Sequence, residues 1–509
     1  MKNRFVKWLR LKMEKVKDFI EIFENKLRME PLLYRLAKGT FWAFMGTIAS
    51  RIFSLVTTIV IARILGKEDF GAYGMVQSTL GMFGLFAGFA MGSTMTKYVA
   101  EFRSKNPQRA GRILSLTKTL SILSSGLISV ILIFISPWLA ESTLRRPDLS
   151  PILITGSVFL FVSTLNNVQV GALAGFEAFK QTARINFFQG IATPLVAIPL
   201  VYLYGLQGAI VALIIISILG YILCNIVLKK ECLRYGISYH HFDPSALKEW
   251  EILLKFSFPA TMSGLLVIPV TWITNTILIN QQNGYAELGL FNAANQWRQF
   301  IIFLPQILAS VMLPIFSETH GREDKIEFLN AFEMNLRFTW TVALPITIVV
   351  ITFRDYLSAL FGSQYSGTAS IITLLMITAF LNIINNVVGT ALAGAGRMWT
   401  GAIFNFAWAI VLVIATMLLV PIYGGFGLAM AYLLAYFLHT IWQMVYTGMK
   451  LVIPSILANY TLIIITIVTL FSVCFLEYLN IKSVLFNVII IIIASFPLYR
   501  VGVKILFDE

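Results

Sequence analysis

Arg51, Lys118, Lys255 and Arg298 stand inside long apolar stretches of a 509-residue chain. An ionised side chain in hydrocarbon is costly, so each needs a wet cavity, a partner or an anionic ligand. Arg51 lies 13 residues past Lys38, about 20 Å along a helix and too deep to reach the interface easily. Around it Thr47, Ser50, Ser54, Thr57 and Thr58 form a polar face, with Met45, Ile48, Ile52, Leu55 and Ile59 opposite. Asn292, Asn295, Gln296, Gln299 and Gln306 make a second stripe with Arg298 at its edge. Such polar stripes belong against a wet cavity or another helix, and fixed positive charge at this depth suits an anionic substrate such as a phosphate or pyrophosphate. The plainer alternative for both arginines is bonding to backbone carbonyls. Lys118 and Lys255 lie nearer the ends of their stretches, where each is a ligand or a snorkelling anchor. The predicted substrate-binding set is therefore Arg51, Arg298, Lys118, Lys255, Ser50, Asn292, Asn295 and Gln299. Asn166, Asn167, Asn385 and Asn386 are either ligands or interhelical bonds.

No Asp or Glu falls within any predicted span. Exporters that exchange protons or sodium for cationic drugs depend on such carboxylates, so the fixed charge at depth points to an anionic substrate. Catalytic and metal sites are not expected. The four histidines (His240, His241, His320, His439) have no ligand spacing, and Cys224, Cys232 and Cys474 are too few for a disulfide framework. No cofactor is implied, and no Walker-type loop appears. The net charge of +14 lies mostly in alternate connections between apolar segments, which argues against nucleic acid.

With 58% hydrophobic and 13% charged residues, the chain cannot cover a water-facing surface of this size. Apolar runs of about 20 residues recur throughout, each long enough to cross a bilayer as a helix. They predict an all-α polytopic membrane protein of about 14 transmembrane helices, over 39–65, 70–96, 113–137, 150–174, 186–203, 208–228, 252–279, 288–316, 338–353, 367–393, 401–420, 426–447, 455–475 and 483–499. Of the 39 Lys and Arg, 29 fall in one set of connections, five in the other and five inside the spans, which sets both termini in the cytoplasm. Residues 1–38 lack the apolar core of a signal peptide. Phe5, Leu9, Met13, Val16, Ile20, Phe23 and Leu27 give them one apolar face, as in a basic amphipathic helix on the inner leaflet or on a partner. Gly81, Gly84, Gly88 and Gly92 form a predicted small-residue seam for close helix approach. Prolines at 194, 199, 259, 269, 305, 314 and 345 are candidate bends.

A shift of 219 residues superimposes Asn166-Asn167-Val168 on Asn385-Asn386-Val387 and Ala172-Leu173-Ala174-Gly175 on Ala391-Leu392-Ala393-Gly394. It also places Asn186-Phe187 on Asn405-Phe406, and Tyr204-Gly205-x-x-Gly208 on Tyr423-Gly424-x-x-Gly427. Apolar helices resemble one another by composition, but paired asparagines at a shared offset do not arise that way. Two parallel six-helix repeats follow, over 39–228 and 252–447, joined by a cytoplasmic linker 229–251 and followed by a C-terminal helix pair, 455–499. Parallel repeats favour a central site between two rocking bundles.

The run Ala62-Arg63-Ile64-Leu65-Gly66-x-x-x-Phe70-Gly71-x-Tyr73, with Lys97-Tyr98-x-Ala100-Glu101 after it, resembles the opening signature of the polysaccharide-transporter or oligosaccharide-flippase family. That family lies within the multidrug/oligosaccharidyl-lipid/polysaccharide exporter superfamily. The resemblance implies a flippase, not an enzyme, that moves a polyprenyl-phosphate- or pyrophosphate-linked oligosaccharide from the inner to the outer leaflet for cell-surface glycan assembly. Membrane lipids and glycan-assembly proteins are its implied partners, and the cell membrane its implied location. Ser50-Arg51 is similar to the first helix of lipid II flippases, where the matching arginine lines the cavity; a second arginine of that helix is replaced here by Thr57. The last two helices form a lipid-tail groove in those flippases, which implies a similar role for 455–499. The alternatives are a multidrug exporter of the same superfamily and a membrane glycan polymerase, and the acid-free spans and short loops weigh against each respectively.

Overall fold

The computed structural model describes residues 31–239, 243–253, 257–258, 261 and 266–450. Residues 1–30, Lys255 and the expected C-terminal pair 455–499 lie outside them. The described chain forms eleven α-helices: α1 (Pro31–Gly88), α2 (Met91–Phe102), α3 (Pro107–Trp138), α4 (Leu149–Gly175), α5 (Phe179–Arg234), α6 (Val267–Ile279), α7 (Gly284–Gly321), α8 (Lys325–Thr352), α9 (Arg354–Ala359), α10 (Thr368–Gly394) and α11 (Met398–Lys450). Six are long and apolar enough to cross a membrane, or seven if the bent α1–α2 pair makes one span. Large apolar side chains point away from the bundle, among them Phe134 at 79% exposure and Leu195 at 70%, as a lipid-facing surface requires.

α1, α5 and α11 run to 58, 56 and 53 residues, long enough for two crossings each. Each breaks at one glycine with positive φ: Gly66 at 74°, Gly205 at 55° and Gly424 at 56°. L-residues are disfavoured there, so the sequence marks these breaks with glycine. Beyond the second break a Cβ on Gly208 would lie 2.0 Å from the Leu200 carbonyl oxygen. Eight residues of straight helix would hold those positions about 12 Å apart, so the chain doubles back. Gly427 repeats the arrangement against Leu419, at 2.4 Å. Gly205 and Gly424 share their dihedrals as well, with ψ of −134° and −132°.

Two expectations fail. The single helix over 70–96 is broken at Phe89 and Ala90, both with positive φ (41° and 48°), and α2 leaves α1 at 43°. Neither residue type announces a left-handed backbone. The glycine seam is not seen among the described residues, where a Cβ on Gly81, Gly84 or Gly88 would meet nothing within 4 Å. Of the four only Gly92 is closely packed, its carbonyl oxygen lying 2.1 Å from where a Gly171 Cβ would stand. Prolines 194, 199 and 345 are carried inside helices, while the breaks within α1, α5 and α11 fall on glycine.

Two clusters hold the described core. One packs α2 and the inner ends of α3, α4 and α5 around Met95, Ile113, Leu173 and Leu228. The other, larger one joins the remaining helices and runs across both halves of the chain. The linker docks under α3: a Gly111 Cβ would lie 2.1 Å from the Ser238 carbonyl oxygen. Glu249, 6% exposed, accepts from Arg109 at 3.0 Å and from Arg112 at 3.0 Å.

Candidate functional site: two polar chambers between and within the halves

The first-half helices meet the second half most tightly around residues 62–73. Arg63 Nε donates to the Leu360 carbonyl at 2.6 Å, and Tyr365 Oη to that of Ala62 at 2.9 Å. Phe70 meets the Tyr365 ring edge to face, with centroids 6.3 Å apart. A Gly71 Cβ would stand 1.8 Å from the Tyr285 carbonyl oxygen, and a Gly289 Cβ 1.9 Å from that of Lys67. At these two positions only a missing side chain allows the backbones of α1 and α7 to touch. The run from Ala62 to Tyr73, read in sequence as a family signature, is thus the set of contacts that seals one end of the bundle. The Lys and Arg distribution predicts that this end faces outward. Nearby, Arg146 is bound by Asp69 at 2.6 Å and Asp148 at 3.1 Å.

Beneath the seal lies a chamber of about 650 Å³. Its walls come from both halves: α1 and α5 on one side, α6 and α7 on the other. The lining includes Ser54, Thr57, Thr58, Gln77, Ser78, Asn275, Asn292, Asn295, Gln296 and Gln299, and none of its described residues carries a charge. Trp272 Nε1 donates to Thr79 at 3.1 Å and Asn275 to Ser78 at 3.3 Å, so hydroxyls and amides also bridge the halves. Asn292 packs on Gly74, whose Cβ would lie 1.9 Å from its amide nitrogen.

A second chamber of about 610 Å³ lies within the second half, among α6, α7, α10 and α11, sharing Val267 and Gln299 with the first. Arg298 enters here, 8% exposed. Its guanidinium donates to Asn295 at 3.1 Å and lies over the rings of Tyr432 and Tyr436, 5.3 and 5.7 Å from their centroids. Ring faces stabilise a buried cation without a carboxylate. Arg397, at the α10–α11 turn, stands at the other end, with Nη1 donating to Tyr446 at 3.1 Å. No Asp or Glu lines either chamber among the described residues. Nor do three His, Cys, Asp or Glu side chains gather there to hold a metal ion.

The expected site residues therefore part company. Asn292, Asn295 and Gln299 line the central chamber; Arg298 and Gln299 line the second-half chamber. Arg51 is half-buried one turn inward of Ser54, the first chamber residue on its helix. Ser50 packs against α5, its Cα 3.0 Å from where a Gly190 Cβ would stand. Lys118 is buried, with Nζ donating to Tyr239 Oη at 3.0 Å, under a phenol whose proton burial holds up to about 12. Lys255 is outside the described residues. Sequence reading passed over Arg397, Trp408, His439 and Gln443, all in the second chamber. His439, ionisable in an otherwise apolar span, was the available signal, but it was weighed only as a metal ligand.

The comparisons agree with this architecture. The model of the polysaccharide biosynthesis protein family matches residues 36–320, more than half of the chain. The chain is 20% identical to the lipid III flippase of Escherichia coli over 79% of this chain and 96% of that protein. It is 21% identical to a putative O-antigen transporter of Shigella flexneri, over 78% and 94%. Among solved structures, the lipid II flippase MurJ in an inward closed conformation superposes with a TM-score of 0.67 at 17% identity, covering 91% of this chain and 99% of that one. Its fold is that of the solved multi-pass transporters and flippases, and the chain belongs to the polysaccharide biosynthesis protein family.

Proposed function

We propose that this protein flips a polyprenyl-phosphate- or pyrophosphate-linked oligosaccharide from the inner to the outer leaflet of the cell membrane by alternating access. The observation that carries the reading is the pair of adjoining chambers, lined by hydroxyls, amides and arginines with no described carboxylate. Neutral donors and acceptors suit sugar hydroxyls, and arginine suits a phosphate oxyanion. The names of the flippase and O-antigen relatives support the same substrate class.

Fourteen spans in two parallel six-helix repeats, with both termini in the cytoplasm, are the architecture we infer. The matched breaks at Gly205 and Gly424 and the matched close approaches at Gly208 and Gly427 support the 219-residue duplication. In the cycle, the outer seal at 62–73 holds while the inner side admits the head group. Arg298 and Arg51 meet its phosphates, and the sugar takes the hydrated chamber while the polyprenyl tail stays in lipid. Lys118 joins them only when its contact with Tyr239 opens. Rocking of 39–228 against 252–447 then breaks the seal and exposes the substrate outward.

The test is flipping of a fluorescent lipid-linked saccharide in liposomes. Arg51→Ala and Arg298→Ala, each inserted as efficiently as wild type, are expected to lower the rate at least tenfold, as loss of a charge-assisted contact does. Undiminished flipping by both variants would remove the cationic site from the mechanism.

A further inference from the structure

Aligned at the 219-residue offset, the two halves differ at positions that line the second-half chamber. Arg397 falls on Ala178, Trp408 on Gln189, Tyr436 on Ser217, His439 on Gly220 and Gln443 on Cys224. In the first half that space is filled. A Cβ on Gly220 would stand 2.2 Å from Gln189 Nε2 and 3.2 Å from the Asn166 amide nitrogen, and Gln189 is itself bonded to the Ile216 carbonyl at 3.2 Å. In the second half the same positions carry larger, more polar groups around a hollow.

Several of those groups are buried and unpartnered. Trp408 Nε1, both amide atoms of Asn385, His439 Nδ1, Gln443 Oε1 and Arg298 Nε have no hydrogen-bond partner among the described residues. Asn385, Trp408, His439 and Gln443 are 6%, 3%, 5% and 4% exposed. A buried polar atom without a partner costs about 1–3 kcal/mol, and the first half shows that this fold can close the same space. Replacing Gly220-like and Cys224-like positions by His439 and Gln443 therefore weakens the bundle unless a ligand satisfies them. The donors (Trp408 Nε1, the Asn385 amide and the guanidinium groups) outnumber the acceptors, which fits an oxyanion that also bears hydroxyls.

We propose that the second half holds the substrate's phosphate group in its own chamber, between Arg397 at the inner mouth and Arg298 at depth, while the saccharide reaches past Gln299 into the uncharged central chamber. The inference rests on the flippase reading and adds a division of labour to it. Arg298 lies 14 residues in from the outer end of α7 at Gly284, about 21 Å, whereas Arg397 sits at the inner turn. The phosphate thus meets Arg397 first and Arg298 second. The sugar is bound by hydroxyls and amides alone, so once past Arg51 the charged part of the substrate is held by the second half and the neutral part by both.

The test uses purified full-length protein and three probes in calorimetric titration: farnesyl pyrophosphate, the same lipid pyrophosphate bearing one N-acetylglucosamine, and inorganic pyrophosphate. Arg397→Gln and Trp408→Phe, each melting like wild type, are expected to weaken both lipid probes alike, Arg397→Gln about tenfold. Gln77→Ala, in the central chamber, is expected to weaken only the sugar-bearing probe. Wild-type affinity for farnesyl pyrophosphate in both Arg397→Gln and Trp408→Phe overturns the division of labour while leaving the flippase reading standing. No binding of either lipid probe by wild type overturns the flippase reading itself. Inorganic pyrophosphate bound as tightly as farnesyl pyrophosphate overturns the lipid head group as occupant and makes the chamber a site for a free anion.

Discussion

Gly71→Ala is the sharpest perturbation the outer seal allows. The new Cβ would lie 1.8 Å from the Tyr285 carbonyl oxygen, against 3.4–4 Å for ordinary contact. A backbone carbonyl in a helix cannot swing aside, so α1 and α7 must separate there by about 1.6 Å in a close-packed interior. The seal's hydrogen bonds have little slack. Tyr365 to Ala62 is 2.9 Å and Arg63 to Leu360 is 2.6 Å; a retreat of that size carries both past bonding range. Overpacking alone costs about 1–3 kcal/mol, and each 1.4 kcal/mol is a tenfold change in population. If the halves alternate as proposed, the outward-sealed state therefore falls by about tenfold or more relative to its outward-open alternative.

The assay is labelling from the outside by a membrane-impermeant maleimide. Ser78→Cys, in the central chamber, supplies the target in a chain whose own cysteines are replaced by serine. Labelling is expected to rise about tenfold with Gly71→Ala, and to rise likewise with Gly289→Ala, which meets the Lys67 carbonyl oxygen at 1.9 Å. Gly126→Ala, whose Cβ would find its nearest neighbour at 3.9 Å, is the control. Labelling rates for Gly71→Ala and Gly289→Ala no higher than that control would refute both the seal and its assignment to the outer side.

Three further outcomes are expected. Glu249→Gln keeps the shape but removes the charge that ties the linker to Arg109 and Arg112. It should cost about 1–2 kcal/mol, seen as a lower melting temperature in detergent and faster tryptic cleavage at exposed Lys248. Gly205→Ala and Gly424→Ala both place a Cβ on a positive-φ backbone, a strain of about 1–3 kcal/mol each. Only Gly424→Ala also crowds Glu287, at 2.9 Å, the carboxylate that accepts from the Gly425 amide. Gly424→Ala should melt below Gly205→Ala, and the reverse order would contradict the packing described.

The all-helical, membrane-spanning character was legible because it follows from composition, which acts on every residue at once. The limits of α4 and α10 were legible to within one residue, the start of α8 was missed by thirteen, and the glycine breaks at 205 and 424 were visible as Tyr-Gly-x-x-Gly repeats. The break at Phe89 and Ala90 was not, since neither residue type prefers a left-handed backbone and only tertiary packing imposes it. Periodicity placed Asn292, Asn295 and Gln299 on one face, and they do share a chamber wall. Periodicity could not show that Arg298, 60° round the helix at about 100° per residue, opens onto a different chamber. The second chamber itself depends on α7, α10 and α11 meeting, a tertiary fact that no single helix carries.

The placement of Arg298 bears on what can drive transport. Over a complete cycle the arginines return to their starting positions and the substrate does not, so the membrane potential does net work only on the substrate's charge. That work is about 2.3 kcal/mol per elementary charge per 100 mV. With the inside negative, a cation leaving the cell moves against it and needs an antiported ion with a carboxylate to carry it. An anion moves with it and needs only a site that releases as well as binds. A carrier of this kind must also return without its ligand, when a bare buried cation would be most costly. Tyr432, Tyr436 and Asn295 already stabilise the Arg298 guanidinium, while its Nε keeps an unused donor. If the protein cycles as proposed, ring faces carry the charge on the empty return and the remaining donor capacity distinguishes the loaded state.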